Sequence, residues 1–219
     1  MAFTEAGEEN KKKPPLSVLA IVATARKKGL VSSLAQKVLE GANEAGHTTE
    51  FVNLYHYKID YCRGCWMCET KGKCVLKDDF NILFEKVKNA DVLVLAAPTY
   101  WSNVPGIMNP FFDRQYGLAM HHGEGKVLFG KRLPLGFGPR KEMRGKKVIL
   151  ITACTTPFPF NFLMDESRGA IRAVKNYTRK IKAKVIAKVI FTDSRFLNYK
   201  GKREKLENKC IEIGKKFRR

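Results

Sequence analysis

Residues 16–46 read LSVLAIVATARKKGLVSSLAQKVLEGANEAG, and this stretch decides the fold. The run at residues 16–23 is short, apolar and rich in residues that favour strands, which predicts a buried strand. From Ser32 onward the apolar residues recur every three or four positions, which predicts a helix that Gly46 can end. A strand, a polar loop and a helix in this order predict the opening unit of an α/β protein.

The loop between that strand and that helix has the composition of a phosphate site. It carries Thr24 and Arg26, and the predicted helix begins at Ser32. Backbone N–H groups at a helix N-terminus point toward an anion, and hydroxyl and guanidinium groups add hydrogen bonds to it. The loop matches neither G-x-G-x-x-G nor G-x4-G-K-[ST], so a basic loop that only faces solvent is the alternative.

The rest of the chain repeats the alternation of strands and helices. Four further strands are predicted at residues 48–55, 91–97, 146–153 and 183–192, and helices at residues 79–89, 164–181 and 201–217, with part of 105–117 also helical. Five strands that alternate with helices predict a doubly wound parallel sheet with helices on both faces. Right-handed crossovers and a phosphate loop after the first strand favour the flavodoxin-like order 2-1-3-4-5.

Two more loops follow strands where open α/β sheets bind ligands. Pro98-Thr99-Tyr100-Trp101-Ser102-Asn103 follows the third strand, and Cys154-Thr155-Thr156 follows the fourth. Aromatic side chains in the first loop can stack on a flat heterocycle while backbone amides contact its polar edge. Ordinary packing under a loop is the alternative. The sequence does not allow a partner base to be placed beside Cys154, so we expect this residue to be structural or loop-lining and not a nucleophile.

The segment YCRGCWMCETKGKCVLKDD at residues 61–79 holds four cysteines spaced C-x2-C-x2-C-x5-C. These are Cys62, Cys65, Cys68 and Cys74. Iron–sulfur clusters use four Cys thiolates, often in compact runs, whereas structural zinc sites more often use two separated C-x2-C pairs. The spacing therefore favours a cluster, with zinc, disulfides or free thiols as the alternatives. We expect Asp78-Asp79 to cap the following helix and not to bind metal.

Length predicts a single domain, which we place at residues 16–219 after a disordered lead-in at residues 1–15. The cysteine motif forms an excursion at residues 56–78, and residues 118–145 form an insertion. The sequence has no apolar run long enough to span a membrane and no signal peptide, which predicts a cytoplasmic protein.

The chain carries 41 Lys and Arg residues against 21 Asp and Glu, a formal net charge of +20. Such a field favours anionic partners: a phosphorylated cofactor, an acidic protein or nucleic acid. A Lys-rich surface typical of thermophiles is the alternative. The sequence contains no recognisable nucleic-acid-binding motif, so nucleic acid is the less favoured partner.

The chain resembles the iron–sulfur flavoproteins, a branch of the NADPH-dependent FMN reductase group in the flavodoxin-like superfamily. The resemblance covers residues 17–191. It rests on the cysteine motif with the Asp78-Asp79 pair, on residues 97–102 (APTYWS), and on Met108 with residues 111–114 (FFDR). In that family the loop after the first strand reads G-S-P-R-x-x-G-x-T-S; here residues 23–32 read ATARKKGLVS.

The resemblance implies an FMN-dependent electron-transfer oxidoreductase that also holds a 4Fe-4S cluster. Thr24, Arg26 and Ser32 would bind the FMN phosphate, with Ser33 as the replacement for the hydroxyl lost at Val31. The ring would lie against Pro98 to Asn103 and Thr155, and the four cysteines would bind the cluster. No side chain is required as a general acid or base, so we predict no catalytic residue.

The resemblance also implies a homodimer or homotetramer. The electron donor would be NAD(P)H or an acidic redox protein such as ferredoxin. Two other functions remain open at this stage. One is an NAD(P)H-dependent FMN or quinone reductase without a cluster, and the other is a basic nucleic-acid-binding module.

Overall fold

A parallel sheet forms the centre of the protein in the computed structural model, which describes residues 14–121, 126–133, 136–194 and 199–217. Within these residues the sheet has five strands: β1 (Ser17–Val22), β2 (Thr48–Asn53), β3 (Val92–Pro98), β4 (Lys147–Ala153) and β5 (Lys184–Phe191). Their order is β2-β1-β3-β4-β5, and each neighbouring pair is parallel. The predicted fold class and strand order are confirmed.

Helices cover both faces of the sheet. In chain order they are α1 (Leu30–Glu44), α2 (Met67–Lys71), α3 (Phe80–Asn89), α4 (Met108–Asp113), α5 (Tyr116–Ala119), α6 (Phe160–Leu163), α7 (Glu166–Lys180) and α8 (Tyr199–Lys215). Short 3-10 turns occur at Leu54–His56 and Lys141–Met143. Helices α1 and α8 pack on one face, whereas α3, α4 and α7 pack on the other. No helix in the described ranges is long and apolar enough to cross a membrane.

Strand β1 shows why its sequence is a continuous apolar run. Leu19 and Ile21 contribute to the core on the α3 side, whereas Val18, Ala20 and Val22 contribute to the core on the α1 side. Successive strand residues point to opposite faces, and both faces of this sheet are covered. Both sets of side chains must therefore be apolar.

The predicted insertion at residues 118–145 contains two small antiparallel pairs where the structure describes it. Met120–His121 pairs with Gly138–Pro139, and Lys126–Leu128 pairs with Lys131–Leu133. The predicted lead-in at residues 1–15 lies outside the described residues except for Pro14 and Pro15, so its disorder stays a prediction.

Two predicted helix boundaries differ from the structure. Helix α1 begins at Leu30 and not near Ser32, because Gly29 takes the extended N-cap conformation. The helix predicted at residues 164–181 is α7, which begins two residues later, at Glu166, and the short helix α6 ahead of it was not predicted. Asp165 lies between them in the left-handed region with φ 58°. A non-glycine residue in that region interrupts a helix, and the periodicity of apolar residues does not reveal it.

Helices α1 and α8 approach so closely that glycine is required at their contact. A Cβ atom on Gly41 of α1 would lie 2.0 Å from the carbonyl oxygen of Ile211. One on Gly214 of α8 would lie 2.2 Å from the carbonyl oxygen of Val38. Both distances are far below van der Waals contact. Any larger residue at either position must therefore push α1 and α8 apart.

We expect Gly41→Ala and Gly214→Ala each to lower the free energy of unfolding by about 1–3 kcal/mol, the usual cost of overpacking. The matched control is Gly201→Ala, also in α8, where no described atom lies within 4 Å of an added Cβ. Alanine there should leave stability unchanged or raise it by about 0.5–1 kcal/mol, because it favours helix. Urea denaturation followed by circular dichroism measures all three. Equal values for the three variants would contradict the close helix contact.

Candidate functional site

Three loops meet in one cleft at the carboxyl edge of the sheet. They follow β1, β3 and β4, and they enclose a volume of about 960 Å³. Ligand sites for small molecules typically have about 300–1,000 Å³. The lining includes these residues predicted to bind a cofactor: Thr24, Arg26, Pro98, Thr99, Tyr100, Trp101 and Thr155.

The loop after β1 forms a tight turn ahead of α1. The amide of Gly29 donates to the carbonyl oxygen of Arg26 at 2.9 Å, and the amide of Arg26 donates to Oγ1 of buried Thr24 at 3.3 Å. The first N–H groups of a helix have no partner within the helix. This turn brings the N-terminus of α1 to the cleft beside the cations of Arg26 and Lys28. The geometry is suited to an anion.

Asn53 at the end of β2 holds this loop in place, and sequence reasoning missed it. Its side-chain amide donates to the carbonyl oxygen of Thr24 at 2.9 Å, and the residue is buried. A buried polar group needs a hydrogen-bond partner. A polar residue at the end of a predicted strand was the available signal, but its partner lies 29 residues earlier in the chain.

The two predicted serines of α1 do not line the cleft. Ser32 is buried, and its hydroxyl donates to the carbonyl oxygen of Arg26 at 3.5 Å. The hydroxyl of Ser33 donates to Glu207 of α8 and accepts from Arg203 at 3.1 Å. Successive residues of a helix point about 100° apart, and the Ser33 side chain is directed toward α8.

The loop after β3 is a two-residue hairpin turn. The amides of Tyr100 and Asn103 each donate to the carbonyl oxygen of the other at 2.9 Å. Trp101 and Ser102 both have positive φ, 51° and 55°, which is the pattern of a type I′ turn and is unfavourable for residues other than Gly, Asn or Asp. Trp101 stands at the tip with its side chain fully exposed, 101%.

Ser102 and Asn103 stabilise the turn and do not line the cleft. Oδ1 of Asn103 accepts from the amide of Val104 at 2.8 Å. Ser102 lies against helix α7, where a Cβ added to Gly169 would be 1.8 Å from the Ser102 carbonyl oxygen. The backbone of α7 therefore touches the turn directly. Sequence reasoning missed Gly169, because nothing in its neighbourhood marks it as a contact.

The loop after β4 forms the third wall. Oγ1 atoms of Thr99 and Thr152 are 3.0 Å apart, and the amide of Thr99 donates to the carbonyl oxygen of Ala153 at 2.8 Å. Burial raises the pKa of Cys154 to about 11, so its thiol stays protonated at neutral pH. This agrees with a structural role. Glu166 and Ser194 also line the cleft and were not predicted.

The four cysteines of residues 61–79 lie near one another as free thiols. Cys62 and Cys65 are exposed, and Cys68 and Cys74 are half-buried. Burial raises the pKa of Cys68, and the charges of the other three thiolates raise it further. Among the described residues, however, no three His, Cys, Asp or Glu side chains are arranged to hold a metal ion.

A buried ion pair closes the base of this segment. The side chains of Asp78 and Arg114 are wholly buried and bonded to each other. Arg114 also donates to the carbonyl oxygen of Asp60 and to Sγ of Cys74, both at 3.2 Å. Burial alone would raise the pKa of Asp78, but hydrogen bonds from Arg114 and from the Asp60 and Phe80 amides outweigh it and lower the pKa.

The prediction that the acidic pair caps α3 needs correction. Asp79 occupies the N-cap position, but its carboxylate makes no capping bond and accepts instead from the amide of Lys58 at 2.7 Å. Asp78 accepts from the amide of Phe80 at 3.3 Å while it holds Arg114. Both carboxylates therefore tie the cysteine segment to α3 and α4, contacts that local sequence does not reveal.

Comparison with known protein sequences agrees with this geometry. The model of the family described as NADPH-dependent FMN reductase matches residues 16–158. An iron-sulfur flavoprotein of Archaeoglobus fulgidus is 34% identical over 116 residues, 53% of this chain and 51% of that protein. One of Methanosarcina thermophila is 29% identical over 121 residues, 55% of this chain and 63% of that protein. The chain spans about half the length of the curated relatives it matches.

Solved structures share the fold at low sequence identity. An NAD(P)H:quinone oxidoreductase from Methanothermobacter marburgensis superimposes with a TM-score of 0.71 at 20% identity, over 93% of this chain and 99% of that one. An azoreductase from Bacillus anthracis gives 0.67 at 18% identity, over 92% and 100%. At these identities the similarity establishes the fold alone. The family match covers well over half of the chain and includes all three cleft loops, so this chain belongs to the NADPH-dependent FMN reductase family.

Proposed function

We propose that the protein is an FMN-dependent oxidoreductase that also carries a 4Fe-4S cluster on Cys62, Cys65, Cys68 and Cys74. The observation that carries the proposal is the single cleft formed by the loops after β1, β3 and β4. It joins a basic helix N-terminus to an aromatic turn, which are the two features needed for a phosphorylated flavin.

The cleft residues fit FMN in both charge and shape. Arg26, with the N-terminus of α1, would bind the phosphate, while buried Thr24 keeps the loop in its tight turn. Pro98, Thr99 and Tyr100 with Thr155 would flank the ring, and Trp101 would cover its open side. FMN, when bound, supplies the redox chemistry. The protein's own groups orient it and limit the access of water.

The chemistry of the cysteine segment fits a cluster better than a single ion. Four free thiols lie near one another, close enough that the charges of the other three raise the pKa of Cys68. A tetrahedral zinc site needs four donors at about 2.0–2.3 Å from one point. In a cubane cluster each of four thiolates binds a different iron, so the sulfurs stay further apart. The segment would supply these four thiolates.

Two electron donors fit the protein. Membership of the NADPH-dependent FMN reductase family favours NAD(P)H, and the structurally similar protein of Methanothermobacter marburgensis is an NAD(P)H:quinone oxidoreductase. An acidic redox protein such as ferredoxin would be attracted by the net charge of +20. The second candidate function is an NAD(P)H-dependent FMN or quinone reductase without a cluster. It is favoured by the lack of a converged metal site among the described residues.

We also propose that the protein forms homo-oligomers through an apolar surface at α6. Five large side chains there are each more than half exposed: Phe158, Phe160, Phe162, Leu163 and Met164. Together they present on the order of 500 Å², since one aromatic side chain has about 150–250 Å². Monomeric proteins seldom expose a contiguous apolar patch above a few hundred Å². The centre of the Phe162 ring lies 4.5 Å from the guanidinium carbon of Arg168 in α7. The apolar surface therefore adjoins α7, the helix whose Glu166 lines the cleft.

The role of Arg26 predicts a difference between FMN and riboflavin. Arg26→Gln should raise the Kd for FMN about tenfold, the loss of about 1.4 kcal/mol expected for one partly exposed charged hydrogen bond. It should leave the Kd for riboflavin unchanged, because riboflavin has no phosphate. Flavin fluorescence quenching measures both constants. Lys27→Gln is the control, since Lys27 carries the same charge and does not line the cleft. An equal loss of FMN affinity in both variants would indicate general electrostatic attraction by the basic surface and would contradict a direct contact between Arg26 and the phosphate.

The cluster predicts iron and sulfide in fixed proportion. Protein purified without oxygen should show flavin absorption with a broad additional band, and about four irons and four sulfides per chain. Cys65→Ser should lose the iron and keep the flavin, whereas Cys210→Ala, in the core between α1 and α8, should keep both. A flavin spectrum without iron, after reconstitution has been tried, would leave the NAD(P)H-dependent reductase as the function.

The apolar surface predicts how the oligomer can be broken. The double variant Phe158→Glu/Leu163→Glu should elute as a monomer in size-exclusion chromatography with light scattering, while the unmodified chain elutes as a dimer or tetramer. Ile82→Glu on α3 is the control, because Ile82 is also more than half exposed but lies elsewhere. If the unmodified chain elutes as a monomer at two concentrations that differ 100-fold, this surface does not form an oligomer.

A further inference from the structure

We propose that Arg114 is a positioning residue that raises the reduction potential of the metal centre through its hydrogen bond to Cys74. The inference rests on the proposed function, because it assumes a cluster on the four cysteines. It assigns Arg114 a role in addition to holding the cysteine segment in place through the ion pair with Asp78. It also makes Cys74 different from the other three cysteines of the segment.

The contact is specific and rigid. Nη2 of Arg114 donates to Sγ of Cys74 at 3.2 Å and to Oδ1 of Asp78 at 2.9 Å. Nη1 donates to the carbonyl oxygen of Asp60 at 3.2 Å and to the second oxygen of Asp78. The guanidinium carbon lies 4.3 Å from the centre of the Phe80 ring. The planar group is therefore held on its edge and on its face, and its orientation toward the sulfur is determined by partners other than the cysteine.

The charge of Arg114 is unusual at this depth. The side chain is wholly buried, and its Nε has no partner in the described residues. An arginine stays charged in proteins, and burying one costs free energy unless it is fully paired. The free-energy cost of burying Arg114 is understandable if its guanidinium group stabilises negative charge on Sγ of Cys74.

The physical effect follows from the hydrogen bond to the sulfur. A donor to a ligating sulfur stabilises the more negative, reduced state of a cluster. The cation adds to this effect and Asp78 offsets part of its charge, so the lost N–H donor decides the sign in a variant that removes both charges. Hydrogen bonds to the sulfurs and solvent exposure are among the factors that set cluster potentials. Loss of the Arg114 contact should therefore lower the midpoint potential, while the number of cysteine ligands stays the same.

A second anchor on Cys74 allows the positioning effect to be separated from the sulfur effect. Asn81 of α3 accepts from the amide of Cys74 and donates to its carbonyl oxygen, both at 2.9 Å. It holds the backbone of Cys74 and makes no contact with Sγ that the structure shows. Asn81→Ala is therefore the matched control: it loosens Cys74 and leaves the donor to the sulfur in place.

The experiment is a redox titration of the cluster in the anaerobically reconstituted protein, with iron counted on each sample. Two variants alter Arg114. Arg114→Lys keeps the charge and loses the planar fork. Arg114→Gln/Asp78→Asn removes the arginine together with the charge of its partner, so that no unpaired carboxylate is left buried. We expect the double variant to change the one-electron equilibrium constant at least tenfold toward the oxidised state, which is a fall of 59 mV. Arg114→Lys should give a smaller fall.

Asn81→Ala should reduce the iron content of the reconstituted protein and leave the potential unchanged. An equal fall of potential in Asn81→Ala would overturn the inference, because the effect would then come from a loosened loop. Unchanged potentials in both Arg114 variants would overturn it as well, while the proposed function would stand. A wild-type chain that takes up no iron after reconstitution would overturn the cluster proposal and the role of Arg114 together.

Discussion

The in-register parallel pairing of β1, β3 and β4 is the constraint on which the rest of the structure depends. The amide of Ala23 donates to the carbonyl oxygen of Ala96 at 2.9 Å, and that of Thr99 donates to the carbonyl oxygen of Ala153 at 2.8 Å. Strands β3 and β4 end at one level, and β1 ends two residues before it. Parallel strands bring their carboxyl ends to the same edge, where open sheets bind ligands. The loop after β1, the aromatic turn and the loop after β4 therefore face one another across one cleft.

Buried polar groups then fix each loop at that edge. Asn53 holds the loop after β1, and the Thr99–Thr152 pair joins the ends of β3 and β4. Asp78 with Arg114 holds the cysteine segment. Removing one partner of a buried ion pair typically costs about 3–5 kcal/mol. Such contacts leave little freedom for the segments they hold, and rigid segments can keep cofactors in a defined geometry.

One short piece of chain links the cleft to the cysteine segment. The hairpin turn at residues 100–103 leads into α4, whose Met108 and Phe111 are buried in the core, and Arg114 follows at the end of α4. The aromatic turn and the donor to Cys74 therefore lie on one continuous stretch of chain, residues 100–114. Helix α7 also packs against this stretch of chain, through the close contact of Gly169 with Ser102. Packing alone thus relates the position of the two candidate centres.

The sequence by itself determined the sheet, its strand order and the loops that form the cleft, because apolar runs, helical periodicity and the position of loops after strands are local properties. It also located the four cysteines through their spacing. Only the tertiary structure decided that Ser33 faces α8, that Asp78 holds Arg114 and that Gly169 touches the aromatic turn. Each of these depends on a partner distant in the chain, 40 residues in the case of Arg114 and Cys74. Local patterns state which residues are polar or small, but the partner is chosen by how helices and loops pack on the sheet.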